Sequence, residues 1–170
     1  LLAIWQISVR VTGTRIFPGP LDVVRGVRQL FEQGILFAYI RDSLFRVLCG
    51  YFAAVILGIP VGILLSWYPL MADAFNPVIQ LLRPISPLAW MPLAIIWFGV
   101  SNAAPIFLIF LASFFTIVVA TMSGVRNMPP MYMQAGRNFG LTPTQMMRRV
   151  VLPAILPRVL TGLRIALGIA

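Results

Sequence analysis

The sequence predicts an all-α membrane protein, a multi-span helical bundle, and three observations carry that reading. Of the 170 residues, 60% are hydrophobic and only 10% are charged, whereas soluble domains hold roughly 45–50% apolar and about 25% charged residues. The mean hydropathy is +0.95, more apolar surface than a globule of this length can bury, so a bilayer is the natural solvent. The uncharged stretches are also long enough to cross one. A helical span needs roughly 20 apolar residues, and neither Val47–Trp67 nor the 42 positions of Pro84–Val125 contain a charge.

Leu1–Ile7 is apolar and is expected to be the tail of a first span, in a chain cut at both ends from a longer protein. It lacks the basic region and cleavage site of a signal peptide. Arg10–Asp42 is polar and mixed. Phe17-Pro-Gly-Pro20 reads as a turn, and Leu21–Phe37 as an amphipathic helix: Leu21, Val24, Val27, Leu30 and Phe31 fall at helical spacing, with Arg25, Arg28 and Glu32 between. Val47–Trp67 is a span in which Gly58 and Gly62 stand four apart, a spacing that lets helix backbones approach closely. Tyr68–Pro77 is expected as a connecting loop. As a single helix, Pro84–Val125 would be about 63 Å long, twice a ~30 Å hydrocarbon core. It must fold back, and Gly99-Val-Ser-Asn-Ala-Ala-Pro105 is the turn. Spans over 78–99 and 105–125 follow. Pro84, Pro87 and Pro92 interrupt the first of these, making it either a kinked packing helix or a segment lining a path. A last span starts near Pro153 or Leu156, so about five spans are present wholly or in part.

Charge narrows the function classes. The net +9 comes from thirteen arginines against Asp22, Glu32, Asp42 and Asp73, with no lysine. If spans alternate, Arg10, Arg15, Arg25, Arg28 and Arg41 lie on one side and Arg126, Arg137, Arg148 and Arg149 on the other, a near tie that leaves the orientation open. With one cysteine, Cys49, and no histidine, neither a disulfide framework nor a metal-ligand cluster is expected. An intramembrane enzyme would need paired acid–base groups or an activated nucleophile, which four scattered carboxylates do not supply. A phosphate-cradling P-loop needs a lysine, so any nucleotide belongs to a partner.

Arg126–Leu152 carries the most information. Pro129 and Pro130 suit a first helical turn, the helix runs to about Phe139, and Gly140 takes the C′ position. Thr142 caps a second helix, with Pro143 at N1 and Gln145 at N3 as a capping box. Ala135 and Gly136 give the first helix a small, flat face suited to a groove on a partner. A basic helix–turn–helix can also enter a DNA groove, but that fold needs a third helix, and Pro153 leads back into the membrane.

Gln134-Ala135-Gly136, Gly140, Val150 and Leu152-Pro153 resemble the hallmark loop of permease subunits of bacterial ABC importers, in which Glu-Ala-Ala is followed by Gly, Ile and Leu-Pro. Gln134 replaces the acidic residue and Gly136 the second alanine. Leu82-Arg-Pro-Ile-Ser-Pro-Leu-Ala-Trp-Met-Pro-Leu-Ala-Ile-Ile-Trp-Phe-Gly99, Phe17–Pro20 and Leu160–Gly168 are similar to the nitrate, sulfonate, taurine and bicarbonate branch. The resemblance covers nearly the whole chain. It implies a single transmembrane permease domain over 1–170 of the type I importer kind, with an extracytoplasmic polar segment at 10–42 and a cytoplasmic coupling loop at 126–152. It also implies a homodimeric pair of permeases, ABC ATPase subunits that hold ATP and magnesium, and a periplasmic or lipid-anchored solute-binding protein. The substrate class implied is a small anion or sulfonate, with a pyrimidine as the alternative.

Gln134, Ala135, Gly136, Gly140, Val150, Leu152 and Pro153 would then form the ATPase-coupling site. Arg164, inside the last span, is a candidate for the path, since a charge there usually faces protein or water. Ser86, Trp90 and Asn102 are weaker candidates. The alternative is that Arg158 and Arg164 snorkel or pair with backbone carbonyls, and that Trp67, Trp90 and Trp97 sit at the interfaces.

Overall fold

The computed structural model describes residues 19–82 and 84–170, all helix and connecting turns with no strand among them. Leu1–Ile7, Arg10, Arg15, Phe17, Pro18 and Arg83 lie outside the described residues. The chain divides into two compact units, residues 1–45 and 46–170.

In the first unit, α1 (Pro20–Glu32) has Pro20 in its first turn, and the Gly19 N–H donates to Asp22 Oδ2 at 3.2 Å. Exposed pairs Arg25–Asp22 (3.3 Å) and Arg28–Glu32 (2.7 Å) line its polar side, each supporting the helix by roughly 0.2–0.5 kcal/mol. The amphipathic helix expected through Phe37 stops at Glu32. Gly34 adopts a positive φ of 69° there, a conformation that costs a residue with a Cβ. α2 (Leu36–Trp67) then begins well before Val47 and runs for 32 residues, about 48 Å. Arg41 and Asp42, exposed and paired with each other at 3.2 Å, do not stop it, because the backbone bonds of a helix are indifferent to a charged side chain that reaches water.

The second unit is built on three long helices: α2 from residue 46 onward, α5 (Ala103–Arg126) and α7 (Pro143–Ile169). Gly50, Ala54, Gly58 and Gly62 recur every four residues and are buried on one face of α2. A Cβ on Gly62 would lie 2.7 Å from Thr121 Cβ and 2.9 Å from the Val118 carbonyl; one on Gly50 would lie 2.8 Å from the Ile106 carbonyl. Gly58 and Gly62 therefore mark a helix contact with α5, and the stripe extends beyond the pair read from the sequence. Gly162 of α7 meets Ala120 of α5 in the same way. Ile117, Val118, Val151 and Ile155 are fully buried along these seams, and the Tyr51 hydroxyl donates to the Leu163 carbonyl of α7 at 3.1 Å.

Between α2 and α5 the chain departs from expectation. Tyr68–Pro77 is helical, part of α3 (Pro69–Leu82). The span expected over 78–99 is two pieces meeting at 89°: α3, and a 3-10 turn (Pro87–Trp90) leading into α4 (Met91–Phe98). Pro84 and Pro87 remove donors on either side of Ile85 and Ser86, so a bend replaces the expected kink. Gly99 (φ 67°) closes α4, and Phe107 of α5 packs on Trp97 and Phe98 with centroids 6.0 and 5.3 Å away. The turn expected over Gly99–Pro105 is present but shorter, because α5 already begins at Ala103.

The seam gives a direct test. Gly62→Val is expected to lower the stability of the detergent-solubilised protein by the typical overpacking cost of about 1–3 kcal/mol. Gly168→Ala, where an added Cβ meets nothing within 4 Å, is expected to leave it unchanged or slightly raised. Thermal unfolding in detergent checks both.

Candidate functional site

The loop between α5 and α7 is a closed hairpin. α5 ends at Arg126, and the Asn127 N–H and its side-chain amide both donate to the Ser123 carbonyl, at 3.0 and 2.9 Å. Pro129 is the N-cap and Pro130 occupies the first turn of α6 (Pro130–Asn138). At the other end of α6, the Gly140 N–H donates to the Arg137 carbonyl (2.9 Å) and the Leu141 N–H to the Gly136 carbonyl (3.1 Å). Gly140 has φ 67°. This paired arrangement is a Schellman motif, which satisfies carbonyls that a helix end would otherwise leave bare. One residue later, Thr142 Oγ1 accepts from the Gln145 N–H, and Gln145 Oε1 accepts from the Thr142 N–H. Both caps of the expected hairpin are present.

Its second helix is not a separate element. Pro143–Met146 continues through a π turn at Met147–Val151 into Leu152–Ile169, so no loop precedes the last span at Pro153 or Leu156. The Leu152 N–H reaches back five residues to the Met147 carbonyl. Pro153 supplies the physical reason: its ring cannot donate, and a local wide turn redistributes the carbonyls it strands. Continuity with a membrane-length helix also removes the DNA-groove reading, which needs the second helix free.

Gly136 serves a different purpose from the one read in the sequence. It is buried, and a Cβ there would lie 2.5 Å from Met146 Sδ. The hairpin is closed by Met146 resting on Gly136, and Met128, Met133, Leu141, Met147 and Trp67 pack around the same cluster. Of the small face, only Ala135 looks outward. The exposed side carries apolar residues that nothing covers among the described residues: Phe139 is 84% exposed, Met131 65% and Tyr132 46%. Gln134, Gly140, Leu152 and Pro153 are exposed and Val150 is half-buried. Ala135, Phe139, Val150 and Pro153 rim one groove of about 460 Å³ with Tyr132 and Arg149. Tyr132 and Phe139 were missed as site residues; their signal was that they are the two aromatics of the loop.

The proposed path residues are not gathered into one site. Trp90 lines a largely apolar cavity of about 250 Å³ with Leu82, Pro87, Phe115, Thr116 and Ile165. Ser86 is exposed at the start of the 3-10 turn, and Asn102 is exposed at the N-cap of α5 without a side-chain bond. The capping there comes from Ser101, whose hydroxyl accepts from the Ala103 N–H at 3.3 Å. Arg164 is exposed on α7, whereas Arg158 donates to the Ser123 carbonyl at 3.3 Å, the backbone pairing considered for it. Trp67 packs partly inside the methionine cluster. No group of histidine, cysteine and carboxylate residues able to hold a metal occurs among the described residues.

Residues 35–170 match the family described as the binding-protein-dependent transport system inner membrane component. The chain belongs to that family, as an inner-membrane protein; among the described residues three helices are able to cross a bilayer, with a fourth span if the bent pair is one. It is similar to the "Probable ABC transporter permease protein" of Brucella melitensis, 42% identical over 159 residues, which are 94% of this chain and 65% of that protein. The taurine transport system permease protein of Escherichia coli is 34% identical over 176 residues, 99% of this chain and 64% of that protein. The nitrate import permease protein of Leptolyngbya laminosa is 37% identical over 180 residues, 100% of this chain and 63% of that protein. The chain thus spans just under two thirds of the length of these relatives.

Gly140 gives the loop its test. A β-branched residue at positive φ costs about 1–3 kcal/mol, so Gly140→Val is expected to speed hydrogen exchange of the amides of Leu141 and residue 140 while α5 and α7 stay protected. Gly140→Asn, which tolerates that conformation, is expected to restore most of the protection.

Proposed function

We propose that the chain is the path-forming permease subunit of an ATP-driven importer, with α6 docking on a separate ATPase. The observation that carries this reading is the hairpin itself. Its turn is capped on both sides, its interior is closed by Met146 on Gly136, and Phe139, Met131 and Tyr132 are exposed. A rigid element with exposed aromatics rimming a groove has the composition of a protein contact core. The loop follows α5 and runs unbroken into α7, so a force on it reaches two spans at once. That suits alternating access, in which helices rock about a central site.

On this reading residues 126–152 face the cytoplasm and 10–42 the other side. The ATPase holds ATP and magnesium and this chain supplies no chemistry. A solute-binding protein delivers substrate from outside, and a second permease copy completes the path. The substrate is a small anion or sulfonate; relatives named for taurine and nitrate import support that class, as does one named for bicarbonate transport in Synechococcus elongatus. Gln134, Ala135, Gly140, Val150, Leu152 and Pro153 keep their coupling role, joined by Phe139 and Tyr132. Gly136 acts inside the hairpin. Ser86, Trp90, Asn102 and Arg164 are proposed for the path, Trp90 with the support of the cavity it lines.

Co-purification tests the contact. Phe139→Ala and Ala135→Trp are each expected to cut recovery of the ATPase with tagged permease by about tenfold, the scale of a hot-spot loss of at least about 1.4 kcal/mol, without reducing the permease in the membrane. Undiminished recovery for both variants would show that α6 is not the contact.

A further inference from the structure

A second polar site lies away from the outer face of the hairpin, between α3 and the C-terminal end of α5. It is a cleft of about 550 Å³ whose floor is Ile79, Val119 and Met122 and whose rim is Asn76, Gln80, Ser123 and Arg126, beside Asn127. Arg126 has no carboxylate or carbonyl partner among the described residues, and the side-chain amides of Asn76 and Gln80 are likewise unbonded there. Arginine at a helix C-terminus ordinarily serves the last carbonyls. Other donors take that place in α5. The Ser123 carbonyl receives the Asn127 N–H, the Asn127 side-chain amide and the Arg158 guanidinium, at 3.0, 2.9 and 3.3 Å. The Val125 carbonyl receives the Met128 N–H at 3.2 Å. Both carbonyls are served without Arg126, whose side chain is exposed.

The cleft carries several donors and no carboxylate. Arg126, Asn76, Gln80 and Ser123 line it together above apolar Ile79, Val119 and Met122, and the Ser123 hydroxyl, which accepts from Asn127 at 3.0 Å, has its proton to give. Asp73, the last carboxylate in the chain, precedes Asn76 by one turn of α3, does not line the cleft and forms no ion pair among the described residues. Guanidinium with neutral donors is the chemistry that holds phosphate, sulfate and sulfonate oxygens.

We propose that this cleft is an oxyanion-binding site, with Arg126 supplying the charge and Asn76, Gln80 and Ser123 the neutral donors. Two sources carry the required group: the phosphate of an anionic phospholipid, which basic pockets between membrane helices recognise, and a free anion of the transported class. The assignment rests on the permease reading only for its sample, the full permease purified with its partners, because binding is read without ATP.

Two probes separate the sources. Inorganic sulfate is titrated while thermal unfolding is followed in detergent, and phosphatidylglycerol retained from nanodiscs of mixed phosphatidylglycerol and phosphatidylcholine is counted by native mass spectrometry. Arg126→Gln is expected to weaken the response by about tenfold or more, and Gln80→Leu, which keeps the volume but removes a donor, by a smaller factor. Loss of sulfate protection assigns a free anion; loss of retained phosphatidylglycerol assigns a lipid. If the parent responds to neither probe, or both variants respond as the parent does, the assignment is overturned. Uptake on the same preparation separates the two claims: absent uptake with intact, Arg126-dependent binding would condemn the transport reading and leave the site standing.

Discussion

Close approach of three helix backbones in a solvent that does not push them together is the constraint on which the rest depends. Lipid chains are as apolar as leucine, so α2, α5 and α7 gain from meeting only through dispersion and a few cross-helix hydrogen bonds. Dispersion falls off within an ångström of contact, which is why Gly50, Gly58, Gly62 and Gly162 sit where a Cβ would strike the neighbouring helix. The Tyr51 hydroxyl on the Leu163 carbonyl and Arg158 on the Ser123 carbonyl add fixed points to the same seams. Larger side chains at the glycines would part the helices and remove both kinds of contact.

That seam also determines what the hairpin can transmit. α5 and α7 hold each other along buried Ile155, Val159, Gly162 and Ala166, and the methionine cluster joins α6 to the foot of α7 and the end of α2. The loop is therefore continuous with the tightest part of the second unit rather than hung from it.

Features governed by local rules were legible in the sequence. The Thr142–Gln145 box, Gly140 past the end of α6, the Gly99–Pro105 turn and the uncharged spans each follow from a few adjacent residues. What depended on tertiary context was not. Tyr68–Pro77 reads as a loop because Pro69, Asp73 and Pro77 punctuate it, yet Pro69 is tolerated in a first turn and the segment packs as α3. Three prolines announced a disturbance near Pro84 but not its 89° size. Pro153 reads as a helix start, whereas the π turn lets the helix pass through it. Gly136 was legible as small but not in direction, since only Met146, ten residues on, decides which way the gap faces. The path candidates were chosen one at a time, Arg164 for a charge inside a span, and nothing local to each residue says whether Asn102 and Arg164 share one site.

The wide turn at Met147–Val151 has a mechanical meaning. It holds one residue more than an α-helical turn, kept in reserve between the hairpin and the rest of α7. Were that residue taken up into ordinary α winding, the helix would lengthen by about 1.5 Å and everything on the hairpin side would swivel by about 100° around its axis. A single slipped hydrogen bond thus separates two angular settings of the same arm.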